Sequence, residues 1–477
     1  MRKIVSEYRV LGSTPMEDIV IDPRTRDDMA AVLKGLQCVY CDVKTRKELF
    51  ALLEEHFQPG TRKDVGRPGL DLWRIIVFAV VKQCLDLDYD ALLHHANHDT
   101  LLRKVLGHGE AGFDKAMYSR QRLVDNVQLL TPELISKVLH LVVQRGHEVA
   151  GIQSGAALRG RCDSRVVKTH VHFPTDVHLC WDAVRCLIRS CARAASTFAL
   201  PGWRKHAYHA KKVYKAFSRV RTAPRYRNNP KGVKAYLRQC KKIAARAFEL
   251  FLAMAGMEGS AHARAEIANY LYYVELLVDQ IRRRILRGET IPHAEKVFSI
   301  HKPYTRWITK GKAQVLAELG VPVAVVEDEH QFILAYHILW KGSDTDVAVP
   351  LIDAVQEVFP SFNACSFDRG FHSKANRHAL DARLEVNALP KKGKLTLADR
   401  ARESAPAFKA ARRQHPAIES CLANLGLRGG ALIREKSREN FALMVSLSAL
   451  AVNVHRLGCI VRDRERVRSK RRRRRAA

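Results

Sequence analysis

The sequence is poor in acidic side chains. It has 49 Asp and Glu against 81 Lys and Arg, which gives a formal net charge of +32. No Asp or Glu occurs from Ala183 to Phe248. A field of this sign and size favours a polyanionic partner, either a nucleic acid or a membrane surface.

Long apolar runs are also lacking. No stretch approaches the roughly 20 apolar residues that span a bilayer, and no signal-peptide pattern opens the chain. We therefore expect nucleic acid, and no membrane, as the partner, and a cytoplasmic, nucleoid-associated location.

Regular cysteine spacing is absent. The eleven cysteines are an odd number without the pattern of a secreted disulfide framework, so we expect reduced and mostly buried thiols. Cys38 and Cys41 are the only close pair. They are either half of a zinc knuckle or, because no second ligand pair follows at the right spacing, two cysteines on an apolar turn.

The chain has 477 residues, 47% of them apolar, which is enough for two or three domains with their own cores. Short amphipathic patterns over residues 26–144 predict a helical domain, with one helix from Thr131 toward Gln144 and a linker over Gly146 to Gly155. Residues 158–172 change to the period of a strand. Further strands are predicted at residues 321–326, 331–339, 363–367 and 385–389, with helices at 346–358 and 373–380.

This order predicts a mixed α/β core with a long helical insertion. The predicted domains are an all-α N-terminal domain over 1–150, a catalytic core over 151–176 and 299–458, a basic insertion over 177–298, and a disordered Arg-rich tail over 459–477. The tail either contacts DNA without sequence preference or has no specific role.

The insertion combines basic and aromatic residues. Cations alternate there with Trp203, Tyr208, Tyr214 and Tyr226, a pattern that favours contact with nucleic-acid phosphates. The alternative is a solvated helical face with aromatic residues in the core. The predicted phosphate-binding residues are Arg204, Lys205, Lys211, Lys212, Lys215 and Arg219, with Arg221, Arg225 and Arg227 in the same run.

Two acids lie on or beside predicted strands. Asp163 is within the first strand, and Asp368 follows the apolar run 364–367. Because the carboxyl ends of parallel strands meet at one edge of a sheet, the two can converge despite their distance in sequence. Each can equally be a structural residue, because Asp shortly before Gly is common in turns.

Several motifs in order resemble DDE transposases of bacterial insertion sequences, most closely the group catalogued as not classified yet. The resemblance spans residues 60–458. Its motifs are Gly66-Arg67-Pro68-Gly69, Tyr118-Ser119-Arg120-Gln121, Asp163-Ser164-Arg165-Val166-Val167, His172-Phe173-Pro174-Thr175-Asp176, Phe367-Asp368-Arg369-Gly370-Phe371, Pro390-Lys391-Lys392-Gly393-Lys394 and Ile418-Glu419-Ser420.

The resemblance implies a ribonuclease H-like core with a mixed sheet and an acidic triad of Asp163, Asp368 and Glu419. In such enzymes these acids are catalytic and hold two Mg²⁺ or Mn²⁺ ions. A helix over Gln414 to Leu425, with Ile418, Leu422 and Leu425 on its apolar face, would present Glu419 to the other acids. Flanking cations are expected to hold DNA phosphates or, for the lysines, to lie in an ordinary surface loop: Arg369, Arg412, Arg413, Lys391, Lys392 and Lys394.

The activity implied is binding of the element's terminal repeats by the N-terminal helices, followed by metal-dependent cleavage and strand transfer. The partners are double-stranded DNA and, by family analogy, a second copy of the chain. Packing or dimerisation is the alternative role of the N-terminal helices. The alternatives for the whole protein are a DNA-binding relative without catalysis, and a ribonuclease H-like nuclease that does not join strands.

Overall fold

The computed structural model describes residues 12–57, 69–109, 117–153, 155–222, 229–312 and 315–476. The chain divides into two compact units. The first combines Met1–His170 with Gly320–Ala477, and the second is Val171–Leu319. The second unit extends beyond the predicted insertion at both ends. Of the resemblance motifs, residues 66–68 lie outside the described part.

The first unit begins with helices α1 (Asp28–Cys41), α2 (Val43–Phe57), α3 (Leu72–Cys84), α4 (Tyr89–His98), α5 (Thr100–Val105), α6 (Arg120–Val127) and α7 (Pro132–Ala150). The second unit holds α8 (Asp176–Thr197), α9 (His206–Ser218), α10 (Pro230–Ala253) and α11 (Ala261–Ile281). The first unit resumes with α12 (Asp344–Val358), α13 (Lys374–Asp381), α14 (Leu397–Ser404), α15 (Pro406–Gln414), α16 (Ile418–Leu425) and α17 (Arg438–Ala476).

The strands form one mixed sheet. They are β1 (Leu158–Thr169), β2 (Arg306–Lys312), β3 (Val315–Asp328), β4 (Ile333–Ile338), β5 (Phe362–Phe367), β6 (Val386–Ala388) and β7 (Leu432–Ile433). The order is β2-β3-β1-β5-β6, with β4 on β3 and β7 on β1. The pairs β1–β3 and β3–β4 are antiparallel. The pairs β1–β5, β5–β6 and β1–β7 are parallel. The mixed α/β prediction is confirmed, and β3 to β6 overlap the four later predicted strands.

Helix α17 organises the core of the first unit. Its first half is almost wholly buried and packs on α1, α3 and α7. The Asn453 side chain exchanges two 2.8 Å hydrogen bonds with the backbone of Ile333, which fixes the helix to β4. Because α17 holds the N-terminal helices and the sheet together, residues 1–150 do not form a separate unit, contrary to the predicted division.

The same helix is the one in the described part of the chain that is long and apolar enough to cross a membrane. Of its 18-residue apolar window, with mean hydropathy 1.5, 72% is buried inside the protein. The sequence expectation did not anticipate this stretch. Its burial against α1, α3 and α7 is that of a core helix.

The prediction of a disordered tail over residues 459–477 is corrected, because α17 continues to Ala476. Its extension is tied to the N-terminal region: Arg462 donates to the carbonyl of Thr25 at 2.9 Å, and Lys34 pairs with Glu465 at 2.8 Å. Adding arginine residues to an existing helix avoids the nucleation cost and uses a good helix former.

Helix α3 is buried at every residue except Arg74, whose guanidinium donates to the carbonyl of Leu106 at 2.8 Å. A helix buried all round is a core helix. It therefore has no exposed face to read DNA, and packing is its role.

Two local predictions also change. The linker over residues 146–155 is shorter than expected, because α7 continues to Ala150. Gly146 lies inside that helix, where a Cβ atom would come within 2.7 Å of the Phe332 ring, so this glycine permits close packing. Cys38 and Cys41 lie in α1, not on a turn. All eleven cysteines are free, and most are buried.

The second unit has its own helical core. Buried apolar residues of α8 to α11 form one cluster, in which Tyr236 is fully buried and its hydroxyl donates to the carbonyl of Val177 at 3.2 Å. The described residues of the predicted insertion, 177–298, are mainly helical. Strand β2 lies in the part of the second unit that extends beyond it.

We expect Gly458→Ala to destabilise the first unit. A Cβ atom at this position would overlap the carbonyl oxygen of Ala31 in α1. Helix propensity alone predicts stabilisation by ~1 kcal/mol, whereas overpacking costs about 1–3 kcal/mol, so the two effects differ in sign.

Thermal unfolding followed by circular dichroism measures this difference, with the exposed Ser469→Ala on the same helix as control. An unchanged or higher melting temperature for Gly458→Ala would contradict the close crossing of α1 and α17.

Candidate active site

Strands β1 and β5 bring two predicted acids together. They pair in parallel with Cys162 opposite Phe367, and the amide of Asp368 donates to the carbonyl of Cys162 at 3.2 Å. Asp163 and Asp368 are the next residues of the two strands. Neighbouring strands lie about 4.8 Å apart, so the acids occupy adjacent positions where β5 ends.

Two arginines hold the segment that carries the third acid. Arg161 and Arg165 flank Asp163 on the same face of β1, because side chains alternate along a strand. Arg161 donates to the carbonyl of Gln414 at 3.2 Å, and Arg165 donates to the carbonyl of Leu422. These bonds fix both ends of the segment that contains Glu419 over Asp163.

Helix α16 supplies Glu419. The apolar face of Ile418, Leu422 and Leu425 is buried, as predicted. Glu419 lies in the first turn of the helix and is exposed. The predicted continuous helix from Gln414 is interrupted, however, because residues His415–Ala417 form a 3₁₀ turn.

Asp163 is the electrostatic centre of the cluster. Burial, together with the charges of Asp368, Glu419 and Asp344, raises the pKa of its carboxyl group to about 6, against a 2.6 Å hydrogen bond from the Ser164 amide that lowers it. The charges of Asp368 and Glu419 therefore act on Asp163.

Asp344 is a fourth acid at this site, in addition to the predicted triad. Its Oδ2 and the Oδ2 of Asp368 both lie 3.2 Å from the point where a Cβ atom on Gly370 would be. The capping role belongs to Asp346, which forms a capping box with Ser343. The sequence did contain a signal for Asp344, because two acids lie in the first turn of this helix. A capping box uses only the third helical residue, Asp346, and not Asp344.

A group of carboxylates is the ligand set that hard divalent cations such as Mg²⁺ prefer. Within the residues that the structure describes, no three His, Cys, Asp or Glu side chains converge closely enough to hold a metal ion. The acids come from separate elements and share one electrostatic environment. Their chemistry fits the predicted ions, and their present spacing is wider than a coordination sphere.

Basic residues flank the acids. Arg412 is half-buried, donates to the carbonyl of Phe367 at 2.6 Å, and interacts with the charges of Asp368 and Asp163. Arg369 and Arg413 are exposed beside it. Burial lowers the pKa of His415 to about 4, so this neighbour is neutral at physiological pH.

The three predicted lysines of residues 391–394 differ in their surroundings. Lys392 and Lys394 are exposed. The ammonium of Lys391 pairs with Asp399, which also accepts from Arg377 at 2.6 Å. Lys391 is thus engaged within the protein.

On the second unit, the six predicted phosphate-binding residues are all exposed, on or next to α9: Arg204, Lys205, Lys211, Lys212, Lys215 and Arg219. The opposite face buries Val213 and Phe217. Tyr208 and Tyr214 are exposed, whereas Trp203 is buried. Of the basic run, Arg225, Tyr226 and Arg227 lie outside the described residues.

No family model, curated protein or solved structure matches this chain.

We expect Asp163→Asn to stabilise the metal-free protein above pH 6. The folded-state pKa of Asp163 is about 6, above the 3.8 of an ordinary Asp carboxyl group. Its favourable contribution is therefore present below pH 4 and is lost as the pH rises through 6. The variant should gain stability of about 1–3 kcal/mol relative to wild type over this window.

Melting temperatures of both proteins, measured in chelator from pH 4 to 8, test this. The difference between the two melting temperatures at each pH removes the contribution of groups that titrate equally in both proteins. Glu357→Gln, at an exposed position, is the single-charge control. A constant difference across the window would show that Asp163 is not held in a repulsive cluster.

Proposed function

We propose that this protein is a DDE-type transposase with a ribonuclease H-like core, which cuts DNA strands and joins the freed ends to target DNA. The observation that supports it most is the grouping of Asp163, Asp368 and Glu419, from two strands and a helix, in one electrostatic cluster. The mixed sheet, with β5 and β6 parallel to β1, is compatible with the fold that the sequence resemblance implies.

In this proposal, two Mg²⁺ or Mn²⁺ ions would be held by Asp163, Asp368 and Glu419. Asp344 lies close enough to affect the charge state of these carboxylates. When bound, such ions activate the attacking water or 3′-hydroxyl and stabilise the departing oxygen. The protein's own part is to position the strand. Arg412 keeps the end of β5 in place, and Arg369 and Arg413 face the DNA phosphates as charge-assisted donors.

The basic face of α9 binds duplex phosphates. Its exposed cations lie in the acid-free stretch of the sequence, and the tyrosines Tyr208 and Tyr214 are exposed among them. The partners in this proposal are element ends and target DNA, and a second copy of the chain when two ends are held together. Its location is the bacterial nucleoid.

A DNA-binding protein without catalysis is the second candidate. The spacing of the carboxylates, which do not converge on one point in the described residues, favours it. A nuclease that hydrolyses without joining is distinguished by its products.

Asp163→Asn, Asp368→Asn and Glu419→Gln should each abolish Mg²⁺-dependent cleavage of a labelled linear DNA that carries the element's ends. Loss of one metal ligand removes transition-state stabilisation without removing the DNA-binding surface, so all three should bind DNA like wild type. Gel analysis of cleaved and joined products measures both steps, with Glu357→Gln as control.

Cleavage by wild type alone would support the enzyme, and joined products would separate a transposase from a nuclease. Tight, salt-dependent binding without any cleavage would favour the non-catalytic candidate.

The triple variant Lys211→Ala, Lys212→Ala and Lys215→Ala should weaken duplex binding and lower its salt dependence. Each lost phosphate contact reduces the slope of log K against log salt by about 0.9, so the slope should fall by about 2–3. Fluorescence anisotropy between 50 and 200 mM salt measures this slope, since a protein with six to ten phosphate contacts loses roughly 10³–10⁵ in affinity over that range.

The control for this experiment is Arg193→Ala, an exposed arginine of the same unit that already pairs with Glu266. An equal effect of the control would mean that overall charge, rather than the α9 face, determines the affinity.

A further inference from the structure

Helix α10 carries a second basic surface, which the proposed catalytic function does not use. Lys231, Lys234, Arg238, Lys241 and Lys242 are all exposed. Their spacing of three, four, three and one residues puts them on one stripe of the helix. The opposite face is buried in the core of the second unit.

These five cations have no carboxylate partner in the part of the chain that the structure describes. Other arginines of the same unit do: Arg283 pairs with Glu295 at 2.6 Å, and Arg284 pairs with Asp176 at 3.0 Å. Uncompensated cations at this spacing repel one another. A bound polyanion removes that repulsion.

The stripe borders a groove between α10 and the end of α11. One part of the groove, of about 440 Å³, is lined by Lys234, Arg238, Lys241, Lys242 and Arg282 above an apolar floor of Leu237, Ala245 and Leu286. The next part, of about 390 Å³, shares Lys241, Ala245 and Arg282 with the first. The shared residues make the groove continuous.

The far part of the groove ends at an exposed aromatic ring. Phe248 is 52% exposed and stacks on Phe251 with the rings 6.2 Å apart and 14° from parallel. The guanidinium of Arg264 lies 4.5 Å from the Phe251 ring. Phe248 is thus supported from behind and presented to the groove.

The opposite wall is acidic at one place. Glu275 and Asp279 of α11 line the second part of the groove, and Asp279 pairs with Arg283 at 3.6 Å. These carboxylates exclude phosphates from that wall and can accept hydrogen bonds from base amino groups. A phosphate backbone in this groove is therefore expected to follow α10, with the bases toward α11.

We propose that this groove binds an unpaired, single-stranded segment of nucleic acid. Proteins that bind single strands combine a basic groove along the backbone with aromatic side chains on which bases stack. From Lys234 to Phe248 the groove is about 21 Å long at 1.5 Å per residue, which accommodates several nucleotides. The bases of a duplex are stacked internally, so a duplex cannot use the apolar floor or Phe248.

The groove shares no residue with the acid cluster, and binding in it needs no metal. Its test is therefore independent of cleavage: full-length protein in chelator, titrated into a fluorescein-labelled 20-nucleotide oligo(dT) or a 20-base-pair duplex. Anisotropy gives both affinities. Repeating the titrations with Asp163→Asn separates failure of this site from failure of the proposed catalysis.

Phe248→Ala should weaken oligo(dT) binding about tenfold and leave duplex affinity unchanged, because stacking contributes only with an unpaired base. Phe248→Trp should retain the affinity. Leu252→Ala is the matched control, since Leu252 lies on the same helix at 53% exposure and does not line the groove. Equal effects of Phe248→Ala and Leu252→Ala would overturn the proposal.

The double variant Lys234→Gln and Lys241→Gln should reduce the salt slope of oligo(dT) binding by about 1.4. Each of the two lost phosphate contacts accounts for about 0.7 of that slope. The matched double variant Lys211→Gln and Lys212→Gln on α9 should instead affect the duplex. If the groove variant weakens the duplex as much as the single strand, the groove is a duplex-backbone surface and the proposal fails. Melting curves of all variants verify folding.

Discussion

The parallel register of β1 and β5 is the constraint on which the acid site depends. It joins segments about 200 residues apart, and a slip of one residue would turn Asp163 to the opposite face of the sheet. Gly160 helps to fix the register: a Cβ atom there would lie 2.5 Å from the carbonyl oxygen of Glu327 and 2.7 Å from the Phe362 ring. The glycine lets Phe362 pack directly on β1 and leaves Phe367 opposite Cys162.

Around this register, the buried side chain of Arg161 offsets part of the free-energy cost of burying carboxylates. Arg161 donates to Glu327 at 2.8 Å, to the carbonyl of Asp328 at 3.0 Å and to Gln414. Burial nevertheless raises the pKa of Glu327 to about 7. The face of β1 that carries Asp163 is therefore held by hydrogen bonds to backbone carbonyls, which keep their geometry whether or not the acids are neutralised.

Local patterns predicted much of this structure, because strand alternation, apolar faces and the ends of strands depend on neighbouring residues. The strand positions and the apolar face of the Glu419 helix were found in this way, and the closeness of Asp163 and Asp368 followed from a rule about parallel strands. What the sequence could not supply was long-range packing. The burial of α3, the close contact of Gly146 with Phe332 and the approach of Asp344 to Asp368 each depend on a partner that no local pattern identifies. The Arg-rich end was wrongly predicted to be disordered, because the helix that contains it, α17, begins far upstream at Arg438.

The placement of α17 has a consequence for synthesis on the ribosome. The second unit is one contiguous stretch with its own core, so all of its residues emerge before residue 320. The first unit lacks its central helix until residues 438 onward have emerged, which at about 5–20 residues per second is many seconds later. The basic surfaces of the nascent chain can thus form while the acid site is still incomplete, and the order of translation separates the two in time.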